Sequence, residues 1–213
     1  MSTRYTKFLP EVMPYVHDCP EFVAVNAIRN ACIEFCDKTL YLQYTHDPIT
    51  LCPGQATYDL DLPEDTISAR IMDGWFDNLP LTPKSEDELK RIFPMDWRQM
   101  EGRPQWVTQQ DPTEVIVVPS PFYKSVDGLR LIVALRPTRD SLTIDDAIYD
   151  RYAEAIAFGA KARLYDTPGQ PYSDASQAVK FRSWFEAAIG EAKIERNRGL
   201  TRSGLRVRPP RLV

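Results

Sequence analysis

The chain has 213 residues, 43% of them hydrophobic and 11% aromatic, and a formal net charge of −4. This composition excludes wholesale disorder, and the length suits one good core or one domain carrying a large insertion. No apolar run approaches the roughly 18 residues of a membrane span, so no membrane partner is expected.

The opening stretch MSTRYTKFLPEVMPYV has a basic start. Pro10, Glu11 and Pro14 interrupt what would be a signal-peptide core, so synthesis in the cytosol is expected. Residues 20–43 read as the first long helix. Pro20 suits a first turn, Ile28, Ala31, Cys32, Phe35 and Leu42 form one stripe at helical spacing, and Glu34 with Lys38 makes an i,i+4 pair.

From 48 to 137 the texture changes, with 11 of the 18 prolines and three of the four tryptophans. Long helices are excluded there. Residues 56–63 alternate like a strand, and 69–83 read as a hairpin about Asp77-Asn78. Ser85 with Glu88 is a capping box opening a short helix at 85–93. Residues 105–119 form a second hairpin about Asp111-Pro112, and 129–137 close the sheet. The region is expected to be a small antiparallel β domain.

Helices return at 144–166, capped by Asp145. The run Ala153, Ala155, Ala157, Gly159, Ala160 and Ala162 leaves little side-chain bulk, so a neighbouring helix can approach closely. The last helix spans 175–198 behind Asp174 and Gln177. Ala178, Phe181, Phe185, Ala188 and Ala192 make a bundle-like seam, and Gly199 ends the helix. The expected fold is therefore α+β. The first helix and the last two form a helical bundle (1–47 and 138–198), 48–137 is an inserted small antiparallel β domain, and 199–213 is an extended basic C-terminal arm.

Chemistry-bearing patterns are scarce. Cys19, Cys32, Cys36 and Cys52 lack the close pairing of zinc sites and read as small buried thiols, so no metal or cofactor is expected. His17 and His46 have no set of further ligands around them. Nucleophile elbows, phosphate loops and dinucleotide fingerprints are missing, and no catalysis is expected. Trp75, Trp97 and Trp106 read as core, because few basic residues interleave with them as single-strand binders require. Residues 96–106, a loop with two Trp and two Arg, are the exception and could form an interaction surface.

The chain ends differently from how it begins. Residues 196–213 carry six arginines and no acid, and removing those charges takes the total from −4 to −10 for residues 1–195. The body is thus a poor ligand for nucleic-acid phosphate. The spaced aliphatics Leu200, Leu205, Val207, Leu212 and Val213 suit an extended segment laid into a partner's groove, with arginines forking onto its carboxylates.

Taken together, FLPEVMPYVHDCPEFVAVNAIRNACIEFCDKTL, IMDGWFDNLPLTPKSEDEL with DWRQMEGRPQWVTQ, and YDRYAEAIAFGAKARLYDTPGQPYSD resemble the head-to-tail adaptor (connector) proteins of tailed bacteriophages, over nearly the whole length. The resemblance implies a structural virion protein in the neck, forming a homo-oligomeric ring, commonly of twelve copies, beneath the portal protein. Genomic DNA would pass through its channel without sequence-specific binding, and the far face would receive the tail tube or nozzle protein. On that carry-over Arg198, Arg202, Leu205, Arg206, Val207, Arg208, Arg211, Leu212 and Val213 form a portal-docking arm. Trp97, Arg98, Arg103 and Trp106 become a candidate contact with neighbouring subunits or the tail. The rival readings are another tail-completion or stopper subunit, and a DNA-binding protein that uses the arm on phosphate.

Overall fold

The computed structural model describes residues 2–93 and 96–199. Its first elements are strand β1 (Ser2–Arg4), a 3-10 turn at Tyr5–Phe8, the short helix α1 (Leu9–Val12) and a second 3-10 turn at Met13–Tyr15. Prolines break this segment into short pieces, yet Tyr5, Phe8, Val12 and Val16 recur every three or four residues and all are buried. It therefore keeps one apolar face, which it lays on the helices that follow. Helix α2 (Glu21–Thr39) starts at Pro20 and buries Ala24, Ala27, Ile28, Ala31, Cys32, Phe35 and Cys36. It stops earlier than expected because Leu40 takes a left-handed conformation at φ 52°. Leu42, expected at the end of this helix, instead packs against the sheet core.

The strands are β2 (Gln43–Thr45), β3 (Ile49–Leu51), β4 (Thr57–Asp59), β5 (Thr66–Phe76), β6 (Leu79–Pro83), then, after α3 (Glu86–Ile92), β7 (Glu101–Gly102), β8 (Trp106–Thr108), β9 (Glu114–Val118), β10 (Ser120–Pro121), β11 (Ser125–Pro137) and β12 (Thr143–Asp145). Eight of them form one sheet in the order β2-β11-β5-β6-β8-β9-β4, with β3 also paired to β11. The two expected hairpins are present. Asp77 and Asn78 join β5 to β6 with φ of 46° and 64°, the pair of positive values that a tight two-residue turn needs. Between β8 and β9, the Asp111 carboxylate accepts the Thr113 N–H at 2.9 Å.

Strand β11 does not close the sheet. It lies inside, paired with β5 along Leu129–Pro137 and with β2 and β3 on its other side. Its register with β5 shifts twice, between Ile132 and Val133 and between Ala134 and Leu135, and such bulges sharpen a sheet's twist. Strand β6 runs parallel to β8, through Thr82–Trp106 and Pro83–Val107, so the sheet is mixed. A parallel pair needs a crossover, and α3 supplies it behind the expected capping box. The Ser85 hydroxyl accepts the Glu88 N–H, and the Glu88 carboxylate accepts the Ser85 N–H at 3.0 Å.

Helices α4 (Asp146–Tyr165) and α5 (Ala175–Arg198) complete the molecule. Asp145 caps α4 by accepting the Ala147 N–H at 2.8 Å, and Asp174 caps α5 through the Ser176 and Gln177 amides. The small-residue run on α4 lets α5 settle against it: a Cβ at Gly159 would stand 2.9 Å from the buried Phe185 ring. Strand β12 pairs with β1 just before α4, tying residues 2–4 to 143–145. None of the described helices is long and apolar enough to cross a membrane.

The expected architecture is corrected here. The chain is not a helical bundle with a small inserted antiparallel β domain: five helices stand beside a large curled sheet. That sheet has its own core, built by Leu51, Phe76, Val107, Val117, Leu129 and Val133, separate from the larger core around Phe8, Ile28, Phe35 and Ile156. Three-residue strands such as β2 and β3 carry too little alternation to announce themselves, so sequence patterning undercounts the sheet. Of the expected arm, residues 200–213 lie outside the described residues.

Candidate functional site

With no ligand-binding motif to follow, the surfaces that could meet partners are the C-terminal end of α5, the loop at 96–106 and the nearby end of the sheet. At the first, Arg196 donates to the Thr39 carbonyl at 2.9 Å and so pins the last turn of α5 to the last turn of α2. One residue earlier, Glu195 accepts from Tyr152 at 2.6 Å and pairs with Arg151 at 2.9 Å, while Arg151 also donates to the Tyr41 hydroxyl. Burial first, and then the bond to Glu195, push the Tyr152 phenol well above its ordinary pKa. Tyr41, Gln43, Arg151, Glu195, Arg196 and Gly199 enclose a hollow of about 180 Å³ here. The root of the arm is thus fixed by charge-assisted bonds. Arg198 ends α5; Arg202, Leu205, Arg206, Val207, Arg208, Arg211, Leu212 and Val213 lie outside the described residues.

The structure divides the four residues of the 96–106 loop. Trp97 is only 2% exposed and packs with Leu89 and Val118, and Trp106 meets Phe93 edge-on at 5.2 Å. These indoles cover the face of β8 and β9 opposite the main core, so they serve packing. The arginines remain outside. Arg98 stacks on the Trp97 ring at 4.4 Å and pairs with Glu86 at 2.8 Å. Arg103 is exposed, and its charge acts on Asp77 at the adjoining end of the sheet.

That end is a built structure which sequence reading missed. Asp77, in the β5–β6 turn, accepts hydrogen bonds from the hydroxyls of Ser125 and Tyr123, the latter at 2.6 Å. A second tie runs from the Asp127 N–H to the Thr50 hydroxyl at 3.2 Å, and the Gly54 N–H reaches the Pro121 carbonyl at 2.8 Å. Gly128 must be glycine, since a Cβ there would fall 2.0 Å from the Ser125 hydroxyl oxygen. Around this rigid frame Leu79, Phe122 and Val126 stand 47%, 60% and 70% exposed. The signal in the sequence was the adjacent aromatic pair in SPFYKS, which alternates with nothing.

The frame carries a pH dependence. Hydrogen bonds from Ser125 and Tyr123, with the Arg103 charge adding to them, hold the Asp77 carboxyl below its ordinary value. A lowered carboxyl contributes stability that is fully present above the usual range near 4 and is lost as pH falls through the depressed value. Asp77→Asn keeps the turn, because asparagine tolerates a positive φ. It is expected to melt below the parent at pH 7, with the gap shrinking under about pH 4. Parallel melting curves across that range would exclude this role for the carboxylate.

His46 and three of the four cysteines are engaged in the fold. His46 accepts the Asp61 N–H at 2.9 Å through Nε2 and lies 2.6 Å from the Asp47 carbonyl through Nδ1. Cys19, Cys32 and Cys36 are buried free thiols, and burial pushes Cys36 up to about 12, far from a nucleophile. Among the described residues no group of His, Cys, Asp and Glu is placed to hold a metal ion. What the described residues offer is surfaces, and a basic end of α5 held to α2 through Arg196.

No curated protein matches the chain. The family model described as SU10 adaptor protein matches residues 3–209, nearly the whole length. The chain accordingly belongs to the SU10 adaptor protein family and is a structural adaptor protein of a bacteriophage.

Proposed function

We propose that this chain is the subunit of a head-to-tail adaptor ring, a virion neck component that docks on the portal vertex, extends the DNA channel and receives the tail. The observation that carries this reading is the extent of the family match, which runs through α5 and on to residue 209, taking in most of the arm. Arg202, Leu205, Arg206, Val207, Arg208, Arg211, Leu212 and Val213 engage the portal, with Arg198 at their root. The pinning of α5 to α2 through Arg196 gives that arm a fixed point of departure. The tail tube or nozzle meets the end of the sheet framed by Asp77, where Arg103, Leu79, Phe122 and Val126 are exposed. Strand β11 runs between the two regions, from Ser125 at that end to Ala134 beside β2, about 30 Å at roughly 3.3 Å per residue. The acidic body suits a passage through which DNA slides without sticking. The chain performs no catalysis.

The test mixes the purified protein with its portal and images the product by electron microscopy. A closed ring, expected at twelve copies, stacked coaxially on the portal is the outcome foreseen. Absence of any portal complex at micromolar concentration would overturn the reading. Tight DNA binding that falls steeply with salt would favour the phosphate-binding rival instead.

A further inference from the structure

Two of the places where the helical layer exposes apolar side chains border hollows. On α2, Phe22 is 76% exposed at the edge of a shallow hollow that it shares with Glu21, Val25, Asn26 and Arg29. The acids Asp18 and Glu21 flank it, both exposed. Between α4 and α5 runs an open groove of about 600 Å³ with Ala162, Ala178, Val179 and Ser183 along it. Val179 is 71% exposed, and the row continues down α5 through Ala187 and Gly190, where a Cβ would meet nothing within 4 Å, to Ile194 at 50%. A helix with small residues along its outer face accepts a second helix at close range.

The groove's charged wall is built around a sunken carboxylate. Glu34, on α2, holds Arg182 at 2.7 Å, Lys38 at 2.9 Å and Arg163, with only 14% of its side chain exposed. Burial works against its ionised form, but the hydrogen bonds from Lys38 and Arg182 and the arginine charges hold its pKa below the ordinary value. Arg163 and Arg182 keep 37% and 44% of their side chains in solvent, facing the groove. Asp166 and Glu186 border it too, so the match with Asp18 and Glu21 is one of charge pattern rather than net charge.

We propose that these two surfaces fit each other between copies: Phe22 and the outer row of α2 of one subunit lie in the α4–α5 groove of the next. The hollow about Phe22 is lined by α2 alone and the groove by α4 and α5 alone, so the two share no residue. Each copy therefore carries the Phe22 projection and one α4–α5 groove. A head-to-tail contact of this kind satisfies both in every copy when the ring closes, whereas a foreign occupant of either would leave the other bare. Phe22 fills the apolar groove while Asp18 and Glu21 come to the guanidinium groups of Arg163 and Arg182. This rests on the ring reading and assigns its interface.

Disulfide trapping decides it. Phe22→Cys and Val179→Cys are made separately in a Cys52→Ser background, which leaves only the buried native thiols. Under mild oxidation the two variants mixed and assembled should give linked dimers, and each alone should give none. The chain carrying both changes should give a ladder of multimers. Rings that form but yield no mixed dimer overturn the interface and leave the ring reading intact, as does self-linking of Phe22→Cys alone. Failure of any ring to form, with or without portal, removes both. A second variant, Phe22→Glu, should weaken self-association about tenfold or more with unchanged melting, since the ring it replaces is already in water in the single copy. Unaltered association would count against the proposal as firmly as a missing cross-link.

Discussion

Replacing Phe185 by alanine is expected to cost about 3–5 kcal/mol of stability, the ordinary range for emptying an aromatic site in a packed core. The residue is fully buried on α5, tilted against Phe35 of α2 with centroids 6.5 Å apart, and its ring lies directly over Gly159 of α4. From α5 it thus meets both of the other long helices at once. For a chain of this size the loss should lower the melting temperature by roughly 10 °C or more. The converse change tests the same contact from the other side. At Gly159 alanine would ordinarily gain about 1 kcal/mol of helix propensity. Here its methyl would stand 2.9–3.0 Å from three atoms of the fully buried Phe185 ring. Gly159→Leu should therefore destabilise by several kcal/mol, through overpacking. Pairing Gly159→Ala with Phe185→Leu should recover part of what each costs alone. Strict additivity of the two would show that the contact is not the source of either loss.

Deleting residues 200–213 should leave the fold and its melting temperature nearly unchanged while portal binding falls on the order of a hundredfold or more. The fold expectation follows from the anchoring of α5, whose last turns are secured by Arg196 on Thr39 and by Glu195 on Tyr152 and Arg151, all upstream of the cut. The binding expectation follows from the arm's four arginines: two charge-assisted bonds at about 1.5 kcal/mol each already amount to a factor of that size. Changing Arg202, Arg206, Arg208 and Arg211 together to glutamine separates charge from the aliphatic residues between them. Truncated protein that still saturates portal rings in a pull-down would remove the arm from the interface.

Local signals were legible where a residue type has one physical use. The Asp77-Asn78 turn, the Ser85–Glu88 capping box, the Asp145 and Asp174 caps and the helical stripes, Leu42 apart, stand where spacing put them, because each depends on residues within one or two turns. The parts that were not legible depend on distant partners. The parallel pairing of β6 with β8 and the interior place of β11 are long-range facts, and three-residue strands leave almost no periodic trace. Lys161 shows the same limit, since the alanine-rich helix that carries it gives no local sign of its distant neighbours. The structure buries it to 3% exposure with its ammonium 4.0 Å from the Tyr15 ring and 4.8 Å from Phe181. Desolvation lowers its pKa accordingly, against the raising charges of Glu11 and Glu154. In the 96–106 loop, composition could not separate the two tryptophans that pack inward from the two arginines that stay outside. The exposed end at Phe122 and Val126 was missed because its rigidity comes from an aspartate 46 residues from Tyr123.

The pairing of β1 with β12 has a consequence for biosynthesis. The helical layer is split in the gene: α2 is made before the sheet, but α4, which covers it, follows only after the strands β2 to β12 have been translated. At bacterial elongation speeds of about 5–20 residues per second, the apolar stripe of α2 waits on the order of ten seconds for its cover. The sheet, whose hairpins close locally, can fold during that interval. The nascent chain is consequently most vulnerable to chaperone capture or clumping in the window before residue 143 emerges, and the last strand to arrive is the one that fastens the first.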